Sequence, residues 1–190
     1  MPDEISHLLW TYLLLKHPRI RSMKDFATRR GRIAFYFFTF LPDLGNLTLI
    51  LTAAWIMTSN GLPFMPGPSA QMYPQVRAVF DGPLKNVYYI HHSYVTLAAL
   101  TLIFYVVLKR VYWPLVFGMG LHITMDIFTH KDATALKPFF PLWDVKTSGV
   151  MHWGSFEFYV IEIALMVAYT VWLFRKTHQK AVPDSARPVP

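Results

Sequence analysis

Four stretches of this chain, residues 33–58, 88–108, 111–129 and 156–174, each run for 19 to 26 residues without a Lys or Arg. Each is long enough to cross a hydrocarbon core of about 30 Å as a helix. The pattern predicts an all-α fold: a polytopic membrane bundle of four transmembrane helices. Residues 4–16 add a short N-terminal amphipathic helix, with Ile5, Leu8, Leu9, Tyr12 and Leu13 at helical spacing. That helix is expected to pack on the bundle or lie at the membrane interface. The run from Leu8 to Leu15 is too short to span and follows Asp3 and Glu4, where a leader peptide carries positive charge. No cleaved leader is therefore expected. At 190 residues, 54% of them hydrophobic, the chain reads as one membrane-embedded domain over 1–176. Residues 177–190, with Pro183, Pro188 and Pro190, read as a disordered cytoplasmic tail.

The formal charge of +7 does not form a nucleic-acid patch, because the basic residues sort by loop. Thirteen of the 18 Lys and Arg precede the first span, join the second to the third, or follow the fourth. The remaining loops hold only Arg77, Lys85, Lys131, Lys137 and Lys146. The positive-inside rule then places both termini in the cytoplasm. The basic segments serve orientation and contact with anionic lipid, and the bilayer is the first partner expected. There is no cysteine, so a metal site must use His, Asp, Glu and water.

Such a set stands inside one of the most apolar segments, Gly120-Leu-His-Ile-Thr-Met-Asp-Ile-Phe-Thr-His130. His122, Asp126 and His130 recur every fourth residue and line one helical face. Neutral imidazole and carboxylate are ligands of zinc and related ions, and an ion is the commonest reason to place several of them in an apolar setting. The plain alternative is a helix end at Thr129 and His130, with His122 bonded to a carbonyl and Asp126 paired with a Lys.

Other ionisable groups occur at membrane depth. Asp43 follows Pro42, which bends or restarts its helix; it is either a ligand or base in the bundle, or the N-cap of a helix beginning at Leu44. His91 and His92 differ by about 100° around a helix, and His92, followed by Ser93, is the inward choice. Measured from the cytoplasmic ends at roughly 1.5 Å per residue, Asp43, His122, Asp126 and His92 lie about 15, 17, 22 and 24 Å up. His152 and Glu157 come higher, near the outer surface, where Glu157 also suits the first turn of a helix capped by Ser155. Glu162 is a further intramembrane carboxylate whose partner the sequence does not reveal.

Ser6-His7-Leu-Leu, Leu-Pro-Asp43, His92-Ser93, and Gly120-Leu-His122-xxx-Asp126-Ile-Phe-Thr129 followed by Pro-Leu-Trp143 resemble the YdjM type of inner-membrane metal-dependent hydrolases, a family regulated by LexA. The similarity runs from residue 7 to about residue 143. The order His7, Asp43, His92, His122, Asp126, His130, His152, Glu157 is also similar to the helical zinc-dependent phospholipase C and nuclease fold. The spacing from His152 to Glu157 is one residue longer than in that fold's His-xxx-Glu. What the resemblance implies is a metal-dependent hydrolase acting on a phosphoester.

The expected ligands are His7, Asp43, His92, His122, Asp126, His130 and His152, with zinc or manganese as the metal. Asp43 or Glu157 is the expected proton acceptor, and a lipid or lipid-linked phosphoester the expected substrate. Three other classes compete: a non-enzymatic divalent-metal binder or transporter, a haem protein with two of His92, His122 and His130 as axial ligands, and a structural bundle whose polar residues only pair with each other.

Overall fold

Two of the four apolar runs break within the bundle, and the breaks carry polar residues. The computed structural model describes residues 2–63, 73–131, 134–153 and 155–181. In the first run Pro42 has no N–H for the helical ladder and its ring crowds the preceding turn. The run therefore forms α4 (Arg29–Phe40) and α5 (Asp43–Ser59), bent by 50°. In the second run α7 (Lys85–His91) ends one residue before His92, and α8 (Tyr94–Leu108) begins one residue after Ser93. Ser93 turns extended, and its Oγ accepts the Val95 N–H at 3.0 Å while donating to the Phe140 carbonyl at 2.6 Å. The Tyr94 N–H reaches the Pro138 carbonyl at 2.8 Å. The backbone groups freed at this break are thus partly satisfied by a loop laid against it.

The remaining elements are α1 (Pro2–Lys16), the short α2 (Pro18–Arg21) and α3 (Lys24–Ala27), α6 (Pro74–Asp81), α9 (Trp113–Thr129) and α10 (Phe156–Ala181). The described residues contain no strand, only an isolated bridge between Leu136 and Thr147. The chain is all-helical, as expected. α10 continues to Ala181, into the segment read as a tail, and 182–190 lie outside the described residues.

Among the described residues one helix, over Phe156–Lys176, is by itself long and apolar enough to cross a membrane. The count rises to three if α4 with α5, and α6–α7 with α8 (bent by 49°), are each one broken span. α9, at 17 residues, is not among these candidates.

α4 and α9 make the closest helix pair, and Gly118 is the reason. A Cβ there would lie 2.8 Å from the Thr39 nitrogen and 2.9 Å from the Phe35 carbonyl oxygen, so only glycine lets the backbones meet. Gly120, two residues on, meets only the Leu97 side chain, at 3.6 Å. Gly118→Ala is therefore expected to cost about 1–3 kcal/mol through overpacking. Gly120→Ala is expected to gain up to about 1 kcal/mol from helix propensity. Thermal unfolding of both variants in detergent checks the contrast, and equal shifts would contradict it.

Of the two placements expected for the apolar stripe of α1, packing on the bundle is not the one found. The buried residues of α1 include Ser6, His7 and Thr11, whereas Ile5 (59% exposed), Leu8, Leu9 and Tyr12 face outward. The apolar stripe looks away from the bundle and the polar stripe looks in. Leu15 packs against Phe26 and Phe35 at one end of that face, and hydrogen bonds hold the rest. Ser6 Oγ donates to Glu162 Oε2 at 2.7 Å, and Thr11 and Thr39 share a hydroxyl bond at 3.0 Å. Such an arrangement suits a lipid surround, where outward apolar groups cost nothing and inward polar groups need partners. α8, with no buried residue, and most of α10 are likewise apolar on the outside.

Direction, by contrast, is corrected. Ser6 meets Glu162, Trp10 meets the Tyr169 ring and His17 meets the Trp172 ring, so α1 runs parallel to α10. The start of α1 and the end of α10 lie at opposite ends of the bundle. A cytoplasmic end for α10 thus puts the start of α1 at the far face, not on the same side as the sequence reading had it.

Candidate metal centre

Each break and each close helix contact delivers one polar side chain to a common point. α9 contributes His122 and Asp126 one turn apart, and Gly118 one turn earlier holds this face against α4. α1 contributes His7. His92 projects from the α7–α8 break, and Asp43 opens α5 just after the Pro42 bend. Asp43 is not the cap it was weighed against: the cap position falls on Pro42 and no side chain caps the helix.

Asp126 is the hub. Its Oδ1 lies 3.0 Å from His7 Nε2 and 3.6 Å from His130 Nδ1; its Oδ2 lies 3.1 Å from His122 Nε2 and 3.4 Å from His92 Nε2. His122 Nε2 and His92 Nε2 are 3.2 Å apart. Asp43 Oδ1 stands slightly back, 3.7 Å from His122 Nε2 and 3.9 Å from His92 Nε2. The His7 and His122 rings stack with centroids 4.0 Å apart. Asp126 is 1% exposed and Asp43 15%, so the centre is closed except on the Asp43 side.

The donor chemistry fits a cation. Two overlapping groups, His7 with His122 and Asp126, and Asp43 with His92 and His122, each place one ligand atom per residue within 4.8 Å of the others. His92 Nδ1 lies 2.9 Å from the Tyr88 carbonyl oxygen, which can only accept, so Nδ1 carries the proton and Nε2 presents its lone pair to the centre. That is how proteins orient metal-binding histidines. Two facing imidazole nitrogens at 3.2 Å need a proton or a cation between them. Buried His7, His92, His122 and Asp126 can therefore hold a metal ion. Bis-histidine haem ligation suits the geometry poorly, since a macrocycle between His92 and His122 would have to pass through a 3.2 Å gap beside Asp126.

Not every expected ligand arrives. His130, buried at the end of α9, reaches Asp126 Oδ1 and Thr129 Oγ1 (3.2 Å), but belongs to neither of the two groups. Gly149 holds this end by donating to the His130 carbonyl at 2.8 Å. His152 is exposed and stacks on Trp153, and Glu157 is exposed in the first turn of α10, where Ser155 Oγ accepts the Phe158 N–H. Neither joins a ligand group among the described residues. Their placement in the site rested on ligand order alone; the loop before α10 lies against the end of α9, with the His152 side chain outward. His152→Ala is accordingly expected to keep its full metal content, measured on detergent-purified protein; a loss of more than half would place His152 in the centre.

The sequence reading passed over Tyr88, whose carbonyl sets the His92 tautomer and whose ring lies 4.3 Å from the imidazole. An i−4 position before a helix break is the only signal for it. No protein-family model matches the chain, and no curated protein or solved structure matches it.

Proposed function

We propose that the protein is a membrane-bound metal-dependent hydrolase acting on a phosphoester of a lipid or lipid-linked substrate. The observation that carries this reading is the convergence of three imidazole Nε2 atoms on the buried Asp126 carboxylate. In the proposed arrangement α4–α5, α6–α8, α9 and α10 are the four spans of an inner-membrane protein. The centre then lies at bilayer depth, nearer the end where α10 starts.

His7, His92, His122 and Asp126 would hold a divalent cation, zinc or manganese, with His130 fixing Asp126 from the side. A cation so held supplies Lewis acidity and lowers the pKa of water from about 15.7 to about 7. Asp43, the centre's one partly exposed carboxylate, takes the proton from the attacking water. On the closed side, Asp126 at 1% exposure is kept from bulk water, which strengthens each charge interaction around it. Membrane depth supports a lipid substrate, and the family resemblance supports its phosphoester.

The test loads detergent-solubilised protein with zinc or manganese and presents lipid and nucleotide phosphoesters, reading headgroup or phosphate release. Metal-dependent turnover of a lipid phosphoester is expected. Stoichiometric metal without turnover of any member would favour the non-enzymatic metal binder, and a Soret band in the purified protein would favour haem.

A further inference from the structure

The opposite end of the bundle carries a groove that the metal centre does not use. It lies between α4 and α8, has a volume of about 660 Å³ and opens sideways. Ile33, Phe37, Phe104 and Leu108 form its walls. Arg30, in the first turn of α4, and Arg110, just after α8, stand at its end. No carboxylate lines it. We propose that this groove binds one anionic phospholipid, its phosphate between Arg30 and Arg110 and an acyl chain along the apolar walls.

Charge complementarity selects this occupant. Both arginines lie in the end that holds most of the chain's Lys and Arg, the face that meets an anionic leaflet. Arg110 is held in place from behind: one guanidinium nitrogen pairs with the buried Asp25 carboxylate, and the guanidinium sits 5.8 Å over the Tyr112 ring. Its side chain is still 48% exposed toward the groove end. A planar guanidinium fixed this way suits a phosphate better than a mobile Lys does. The walls decide between lipid and free phosphate. Ile33 and Phe37 are more than half exposed, and an acyl chain covers such surface where inorganic phosphate cannot. The volume is within the range of ordinary ligand clefts, about 300–1,000 Å³.

The inference rests on α4 and α8 lying in the membrane, and is independent of the hydrolase chemistry. Its test uses the full chain in non-ionic detergent, titrated with dioleoyl phosphatidylglycerol or dioleoyl phosphatidylcholine and read by native mass spectrometry. One phosphatidylglycerol per protein is expected, retained at least about fivefold better than phosphatidylcholine. Arg30→Gln should lower that preference about fivefold, the effect of one basic residue near an anionic lipid surface. Ala34→Phe, which fills the groove, should reduce binding of both lipids. Lys176→Gln, basic but outside the groove, should change nothing. Equal retention of the two lipids, or an equal loss in Lys176→Gln, would overturn the proposal. Metal content in the same samples separates this failure from failure of the hydrolase reading, because the groove variants leave the metal ligands intact.

Discussion

Asp126→Asn is expected to lower bound zinc or manganese at least about tenfold in detergent-purified protein, the loss that removing even an outer partner of a metal ligand produces. The substitution keeps the shape of the side chain and removes its charge. Around that charge stand His7 Nε2 at 3.0 Å, His122 Nε2 at 3.1 Å, His92 Nε2 at 3.4 Å and His130 Nδ1 at 3.6 Å. Asp43 then remains as the only carboxylate in the two ligand groups. It stands farther off, so it cannot neutralise a divalent ion in a closed site. His122→Ala should lose metal as fully, because His122 is common to both groups, and it also leaves a cavity in a fully buried position. Elemental analysis of both variants, with circular dichroism to verify retained helix, reads the result. Unchanged metal in both would refute the ligand assignment.

Asp43→Asn should separate binding from chemistry. It is expected to keep at least about half of the metal while hydrolysis falls about 10²- to 10⁴-fold, the typical contribution of a general base. The reasoning is positional. Asp126 is sealed among four imidazoles, whereas Asp43 lies 3.7 and 3.9 Å from the nearest two and retains 15% exposure, so a water and a substrate can reach it. An amide of the same size fills the space but cannot accept the proton. Initial rates on the best phosphoester of the screen, with metal measured on the same sample, make the comparison. A rate near that of the wild type would remove Asp43 from the reaction, and a proportional loss of metal would make it a ligand only.

The parts of this centre that were legible in the sequence are those that local geometry controls. The four-residue spacing of His122 and Asp126 dictates one helical face, and both point to the centre. Depth counted along the apolar runs put Asp43, His92, His122 and Asp126 at similar levels, and they are within hydrogen-bond to van der Waals distance. Pro42 announced the bend that frees Asp43. What was hidden depends on tertiary partners. The stripe Ile5, Leu8, Leu9 and Tyr12 left two placements open, on the bundle or at the interface; it faces outward, because Ser6, His7 and Thr11 find their partners inside. Helix direction was hidden as well: charge counts order the loops but cannot say that α1 lies parallel to α10. The break at His92 and Ser93 is supported by the carbonyls of Pro138 and Phe140, more than forty residues away in the chain, so no local pattern forecasts it. His152 and Glu157 had the residue types of ligands, but the loop bearing His152 is held by backbone contacts with Phe128, Thr129 and His130, and Glu157 starts α10 on its exposed side.

If imidazoles and carboxylates from separate helices share one divalent cation inside the bundle, X-ray absorption at the zinc edge of metal-loaded protein will read it. The expected spectrum has a first shell of nitrogen and oxygen at about 2.0–2.1 Å, no sulfur, and the outer-ring scattering of at least two imidazoles. A shell of oxygens alone, with no imidazole scattering, would place the ion on the surface and refute the shared site.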